Sequence, residues 1–179
     1  MQDVNYIMEI ENLKNAGKYK EAVAKTQEYL IKYTDDYRLY EELADIYIFT
    51  GNIKKAKSAA ESALKLNKES ATGNYLLGYI YVTDGEFEKG IEHLEKSNNL
   101  FPNNPEVLRN LGWGYNMLGQ RKKGIMILKR ALNIAPDDKF IMEDLGVALS
   151  ADGSFEEGAV YLKQAGRDDR IIEFEKFAK

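Results

Sequence analysis

Residues 111–136, LGWGYNMLGQRKKGIMILKRALNIAP, decide the fold, because their pattern recurs along the chain. Gly119 in this stretch belongs to a column of five glycines spaced 34 residues apart: Gly17, Gly51, Gly85, Gly119 and Gly153. A fixed period of that length over most of 179 residues indicates one supersecondary unit copied end to end. Stacked units present a long surface rather than a single pocket.

Each glycine separates two segments with helical periodicity. Before Gly51, apolar residues recur on one face at Leu43, Ala44 and Tyr47, and a second apolar stripe begins after it at Ile53. A glycine between two such segments is typical of a left-handed turn at the end of a helix. Each unit therefore reads as a helix, a glycine turn and a second helix.

Small residues and helix caps follow the same period. One small residue recurs in each helix, in the columns Ala44, Gly78, Gly112, Gly146 and Ala22, Ala56, Gly90, Gly124, Gly158. Glycine costs a helix about 1 kcal/mol relative to alanine, so these columns predict a close approach of the paired helices. Candidate N-cap residues precede the first helices: Asp36, Ser70, Asn104 and Asp138.

These columns resemble the tetratricopeptide repeat, whose helix pairs recur every 34 residues. Residues 111–115 read L-G-W-G-Y, and Gly124, Leu128, Ala131 and Pro136 follow at the family's spacing. Five units fit without insertion, over residues 3–36, 37–70, 71–104, 105–138 and 139–172.

The resemblance implies an all-α fold, a right-handed superhelical solenoid of antiparallel helix pairs forming one domain over residues 1–179. It also implies a capping helix over residues 170–178, on which Ile171, Phe174 and Ala178 would face the preceding repeat. The alternative is that the chain is a fragment cut from a longer array.

Composition excludes several classes of protein. The net charge of −4 argues against a general nucleic-acid surface. No apolar run approaches the roughly 20 residues that a membrane span needs, and the acidic N-terminus does not resemble a secretory signal. We therefore expect a cytoplasmic protein without a membrane span. The absence of cysteine excludes a disulfide framework and thiolate chemistry.

The resemblance implies a binding site in a concave groove lined by the first helices, where a segment of another protein would lie. The candidate contact residues on these helices are Glu41, Asp45, Tyr75, Tyr79, Arg109, Asn110, Trp113, Met117 and Glu143. Further residues of the same helices that do not serve the core include Glu42, Phe140 and Asp144.

Individual residues of this groove leave alternatives open. Trp113 and Tyr79 either anchor a partner or pack on each other across adjacent repeats. Arg109 either pairs with Glu106 on its own helix or grips a partner's carboxylate. Acidic stretches on either side of the aromatic centre suggest a partner with basic ends and an apolar middle: Glu41, Glu42, Asp45 and Glu143, Asp144.

A second patch is basic and lies on the second helix of the fourth unit: Arg121, Lys122, Lys123, Lys129 and Arg130. The simplest interpretation is lateral ion pairing with the two acidic units beside it. The alternatives are a contact with phosphate, with an acidic protein or with a second copy of the chain.

One group of relatives grips the C-terminal carboxylate of chaperones with two lysines, two asparagines and an arginine. In the frame that starts at the second unit, the corresponding columns hold Glu41, Asp45, Leu76, Glu106 and Asn110. Only one asparagine matches in any frame, so we expect no chaperone-tail binding of this type.

Catalysis is not expected. His93 is the only histidine and is expected to face solvent, and no G-x-S-x-G or phosphate-loop motif occurs. We therefore expect no enzymatic activity, cofactor or metal.

The function expected from the resemblance is that of an adaptor or scaffold. The alternatives are a self-assembling structural scaffold, which would be a homo-oligomer, and an accessory or chaperone subunit of a secretion or assembly system.

Overall fold

The computed structural model describes residues 5–177, and within this range the chain forms helices and no strand. The helices of this range are α1 (Asn5–Asn15), α2 (Tyr19–Lys32), α3 (Tyr37–Phe49), α4 (Ile53–Leu66), α5 (Ala71–Thr83), α6 (Phe87–Leu100), α7 (Pro105–Met117), α8 (Arg121–Ile134), α9 (Lys139–Ala151), α10 (Phe155–Ala165) and α11 (Asp168–Phe177). The predicted all-α fold of consecutive helix pairs is confirmed.

The chain divides into two compact units between Ile80 and Tyr81. They are larger than the 34-residue repeats predicted above, are called the first and the second unit from here on, and are each described separately. The assignment of residues 1–179 to one domain stays a prediction.

The predicted capping helix corresponds to α11, which packs beside α10. Ala178, the side chain of Phe174 and the start of the first predicted repeat at residue 3 lie outside the described residues.

The glycine column forms the turns between paired helices, as predicted. Its five members adopt positive φ angles from 71° to 93°. At Gly119, whose φ is 76°, the N–H donates to the carbonyl of Asn116 at 3.0 Å. The next N–H, of Gln120, donates to the carbonyl of Tyr115 at 2.9 Å. These two bonds satisfy carbonyls at the end of α7 and reverse the chain into α8.

Side-chain caps fix the starts of the first helices, and all four predicted caps are confirmed. The Asp36, Asn104 and Asp138 side chains each accept a hydrogen bond from the backbone N–H two residues on, at 2.8–3.1 Å. The Ser70 hydroxyl accepts from the N–H of Gly73 at 3.0 Å and donates to the buried carboxylate of Glu41. Each cap satisfies a backbone N–H that the helix itself cannot pair.

The columns of small residues hold α7 against α8 at backbone distance. A Cβ atom on Gly124 would stand 2.6 Å from the carbonyl oxygen of Gly112, and one on Gly112 would stand 2.7 Å from Cγ of Leu128. Gly146 and Gly158 repeat this contact between α9 and α10. The close approach predicted from the sequence is confirmed at both pairs.

Each unit has an apolar core built from the columns beside the glycines. In the first unit, buried residues of α1, α2 and α3 pack together: Tyr6, Ile10, Ala22, Leu39 and Ile46. In the second unit, Leu128 of α8 packs against α9 through Leu145, Ala148 and Leu149. These core residues occupy the inward faces of the helices, which leaves another face of each first helix for other contacts.

The basic residues of α8 pair with the neighbouring second helices. Lys123 lies 3.5 Å from the Glu95 carboxylate on α6, and Lys129 lies 2.8 Å from that of Glu157 on α10. The interpretation of lateral ion pairing is therefore confirmed for these two lysines. Exposed pairs of this kind stabilise a protein by about 1 kcal/mol at most.

We predict that Gly124→Ala lowers the stability of the protein. The added methyl group would press on the carbonyl oxygen of Gly112, which belongs to a helix backbone. The expected loss is about 2 kcal/mol in the free energy of unfolding, although alanine is the better helix former. Denaturant titration followed by far-ultraviolet circular dichroism measures the shift in midpoint.

Gly119→Asn is the matched control, because no atom of the described residues beyond its chain neighbours lies within 4 Å of a Cβ there. Asparagine tolerates a positive φ, so this variant should lose less than about 1 kcal/mol. A higher midpoint for Gly124→Ala than for the parent protein would contradict contact between the two backbones.

We predict that Glu41 and Ser70 act as a coupled pair in stability. Replacing either one by alanine should cost about 1–3 kcal/mol, because each leaves the other as a buried polar group. The double variant should lose less than the sum, by at least about 1 kcal/mol. The exposed Glu61→Ala on α4 serves as a control. Additive losses in a double-mutant cycle would show that the two residues act independently.

Candidate functional site

One face of α7 carries three side chains that are not fully buried. Arg109, Trp113 and Met117 follow one another at intervals of four residues, which places them on one side of the helix. Arg109 and Trp113 are half-buried, whereas 46% of Met117 is exposed. These three residues therefore share one side of α7, and their role as contacts for a partner stays a prediction.

Two glycines explain why Trp113 stands on this face. Gly112 packs against Leu128 of α8, and a Cβ on Gly114 would meet Ile91 of α6 at 3.0 Å. The residues on both sides of Trp113 are therefore the ones that let α7 pack closely on its two neighbours. The indole at the residue between them lies on the remaining side of the helix.

Helix α9 contributes to the same face through Phe140 and Asp144. The guanidinium of Arg109 lies 5.4 Å from the centre of the Phe140 ring, and its Nε lies 3.9 Å from Oδ2 of Asp144. Phe140 is 67% exposed. The structure thus directs Arg109 to Asp144 on the next first helix, and the interpretation that pairs it with Glu106 is wrong.

Asp144 is an unusual carboxylate. Burial raises its pKa to about 6, against the opposing effect of Arg109, and the negative charges of Glu143 and Asp138 add to the increase. Only a quarter of its side chain is exposed, and no side chain of the described residues donates a hydrogen bond to it. The described residues therefore give this group no hydrogen-bond donor from a side chain, and its oxygens reach solvent through the exposed quarter of the side chain.

Glu143, also on α9, is occupied within the chain. Arg167, which precedes α11, donates to its carboxylate and also pairs with Asp169 at 3.0 Å. These contacts link the start of the last helix to the candidate face. Arg167 was not among the residues predicted for this face; its only sequence signal is a basic residue placed after the helix-ending Gly166.

Two predicted contact residues serve the fold instead. Glu41 is buried, and its carboxylate accepts from the Ser70 hydroxyl that caps α5. Burial raises the pKa of Glu41, and the hydrogen bonds from Ser70 and the Gly73 N–H oppose that increase. Asn110 is also buried, and its Nδ2 donates to the carbonyl of Glu106 at 2.9 Å.

In the first unit, Asp45 is paired with a lysine of α1. The Lys14 ammonium lies 2.5 Å from the Asp45 carboxylate and 2.8 Å from that of Glu42. Burial lowers the pKa of Lys14, but its hydrogen bonds to the two carboxylates outweigh this effect and raise the pKa. Burial raises the pKa of Glu42. The pairing of Lys14 with these carboxylates was not predicted, because nothing in the sequence around Lys14 indicates its partners on α3.

Tyr75 and Tyr79 lie one turn apart on α5. Both are half-buried, and their ring centres are 6.4 Å apart. The acidic stretch predicted beside them is not free, since Glu41 is buried and both Glu42 and Asp45 pair with Lys14. This result weakens the expectation that the groove selects a partner by its basic ends.

The remaining chemistry of the described chain is sparse. His93 is half-buried and stacks on the Tyr81 ring at 5.6 Å, so the expectation that it faces solvent is wrong. Burial lowers the pKa of His93.

Within residues 5–177, no group of three or more His, Asp or Glu side chains is arranged to hold a metal ion. No helix in that range is both long and apolar enough to cross a bilayer.

Comparison with known sequences identifies repeats in the centre of the chain. The family model described as tetratricopeptide repeat matches residues 37–70 and 71–104, which are the second and third predicted 34-residue repeats. TPR repeat-containing protein YvcD of Bacillus subtilis (strain 168) is 33% identical over 93 residues. BBSome complex member BBS4 of Mus musculus is 32% identical over 92 residues. Each match covers 51% of this chain, which spans only about a fifth of those proteins' length.

Solved structures extend the likeness to nearly the whole chain at the level of the fold. A crystal structure of MamA matches with a TM-score of 0.73 at 20% identity, over 99% of this chain and 98% of that one. The crystal structure of YrrB, a TPR protein with an unusual peptide-binding site, matches with a TM-score of 0.70 at 19% identity, over 90% and 84%. The 34-residue columns, the helix pairs and these matches agree: residues 37–104 match the tetratricopeptide-repeat family model, and the described chain has the fold of a tetratricopeptide-repeat array.

Proposed function

We propose that this protein is an interaction module that holds a segment of a partner protein on its first helices and so acts as an adaptor or scaffold. In the second unit the proposed contact surface is the α7–α9 face, defined as Arg109, Trp113, Met117, Phe140 and Asp144. Tyr75 and Tyr79 are the contacts proposed on α5.

The observation that carries the proposal is the apolar surface on this face. Phe140 and Met117 are 67% and 46% exposed although both belong to well-packed helices, and the half-buried Trp113 shares the side of α7 with Met117. Large apolar and aromatic side chains exposed on well-packed helices are typical anchors for a protein partner.

The polar groups around this surface favour an apolar segment over a basic one. The carboxylate of Glu143 is paired with Arg167, and Asp144 has Arg109 beside it. Because these negative charges are already balanced within the chain, a strongly basic partner would gain little from them. The proposed partner is therefore selected mainly by apolar side chains.

The known relatives are consistent with this proposal. YrrB, a protein of the same fold, has a peptide-binding site. BBS4 is by name a member of a protein complex. Both support a binding role for this chain, and the identity of its partner is open to experiment.

We predict that Trp113→Ala/Met117→Ala loses partner binding. Removing two anchors should weaken affinity at least about tenfold, because such anchors contribute about 2 kcal/mol or more each. The partner is first captured from native lysate with the parent protein, and its affinity is then measured for both proteins by calorimetry.

Met126→Ala/Ile134→Ala is the matched control, since it removes two exposed apolar side chains from α8. The control should bind as the parent protein does. Equal losses in the two variants, or recovery of only the chain itself together with a concentration-dependent mass in light scattering, would instead support self-assembly.

We predict that Asp144→Asn stabilises the free protein at neutral pH. The pKa of Asp144 is raised from 3.8 to about 6 by folding, so the stability contributed by its protonated form is lost as the pH rises through that range. Removing the charge should therefore raise the free energy of unfolding by about 1–3 kcal/mol at pH 7. The gain should disappear toward pH 4, at roughly the ordinary pKa of an aspartate.

Denaturant titrations of both proteins at several pH values measure this difference. Arg109 on α7, Asp138 and Glu143 remain unchanged in the variant, so only the one titration is removed. A less stable Asn variant at pH 7 would show that the pairing with Arg109 outweighs the cost of burying the carboxylate.

A further inference from the structure

We propose that Arg109 and Asp144 together bind the backbone of one residue in an extended partner segment. Arg109 would donate to the carbonyl oxygen of that residue, and Asp144 would accept from its N–H. This inference rests on the proposed function, and it specifies how the α7–α9 face recognises its partner.

A gap separates the two side chains. The distance of 3.9 Å between Nε of Arg109 and Oδ2 of Asp144 is too long for a hydrogen bond. Neither side chain forms a hydrogen bond with any other described residue. The pair therefore has a guanidinium with unused donors beside a carboxylate with unused acceptor sites.

Both side chains are also largely buried. Arg109 and Asp144 are only 22% and 25% exposed, so water can satisfy them only in part. Polar groups held in this condition gain more from a new hydrogen bond than fully solvated ones do. A partner that brings both a donor and an acceptor would satisfy both side chains at once.

Phe140 contacts the arginine of this pair. Its ring lies 5.4 Å from the guanidinium of Arg109 and makes a cation–π contact with that group. The exposed ring also forms an apolar wall beside the pair, against which a partner side chain can pack.

The charge of the pair favours a neutral ligand. The two side chains are neutral overall, so an added cation would meet Arg109 and an added anion would meet Asp144. A peptide group is neutral and carries both kinds of hydrogen-bonding atom. In an extended strand, the N–H and C=O of one residue point to the same side, as they do when two residues of an antiparallel pair exchange both bonds. One residue can therefore reach both side chains.

The experiment uses peptides selected on the intact chain from a random linear library of about a dozen residues. In the tightest peptide, each backbone N–H is replaced in turn by an N-methyl group, and each affinity is measured by calorimetry for the parent protein and for Asp144→Ala. We expect one position at which N-methylation weakens binding about tenfold to the parent protein. The same change should weaken binding less than about threefold to Asp144→Ala.

The N-methyl series on the parent protein tests the proposal even if Asp144→Ala fails to fold. If no single N-methyl group weakens binding, the protein does not depend on a hydrogen bond from the peptide backbone, and the proposal is overturned. It is also overturned if Asp144 is coupled instead to a lysine or arginine side chain of the peptide.

The proposed function is tested separately by the Trp113→Ala/Met117→Ala variant. If this variant loses the peptides while the N-methyl series has no effect, the binding face stands and only the backbone contact fails. If no peptide is selected, or if the variant binds every peptide as the parent does, the proposed function fails together with this inference.

Discussion

The structure depends on the direct contact between paired helices at the small-residue columns. The carbonyl oxygen of Gly112 lies only 2.6 Å from the position that a methyl group on Gly124 would take, so α7 and α8 are separated by little more than their backbones. Such proximity leaves no room for large side chains between the two axes. The larger residues therefore fill the spaces beside the glycines, and the opposite face of each first helix remains available for contacts outside its own pair.

The two units use these available faces differently. In the first unit, Lys14 of α1 pairs with two acidic side chains of α3, Glu42 and Asp45, at hydrogen-bonding distance. In the second unit, Arg109 approaches Asp144 without bonding to it and rests on an exposed phenylalanine. Glu42 and Asp144 occupy the same position of the 34-residue period, yet Glu42 is hydrogen-bonded to its cation and Asp144 is not. The physical difference is hydrogen bonding, which net charge does not reveal.

The features that could be predicted from the sequence are those set by local chemistry. Gly119 marks a turn because few other residues adopt its φ, and Asn104 marks a helix start because its side chain bonds to the next turn. Long-range pairings could not be predicted in this way. Glu41 looks like any surface carboxylate until α5 brings Ser70 to it, and Arg109 has an acidic neighbour on its own helix as well as the one it meets on α9. Choosing among such partners requires the relative position of the helices.

The place of the indole on α7 also has a practical consequence. The chain contains one tryptophan, and this residue lies half-buried on the proposed face, between two glycines that pack against neighbouring helices. Its fluorescence comes from a single known site, without the contributions of other indoles. Its surroundings are partly aqueous, so emission can shift in either direction when they change. The protein therefore carries its own optical reporter at the position where a partner would settle, and binding can be followed without attaching a dye.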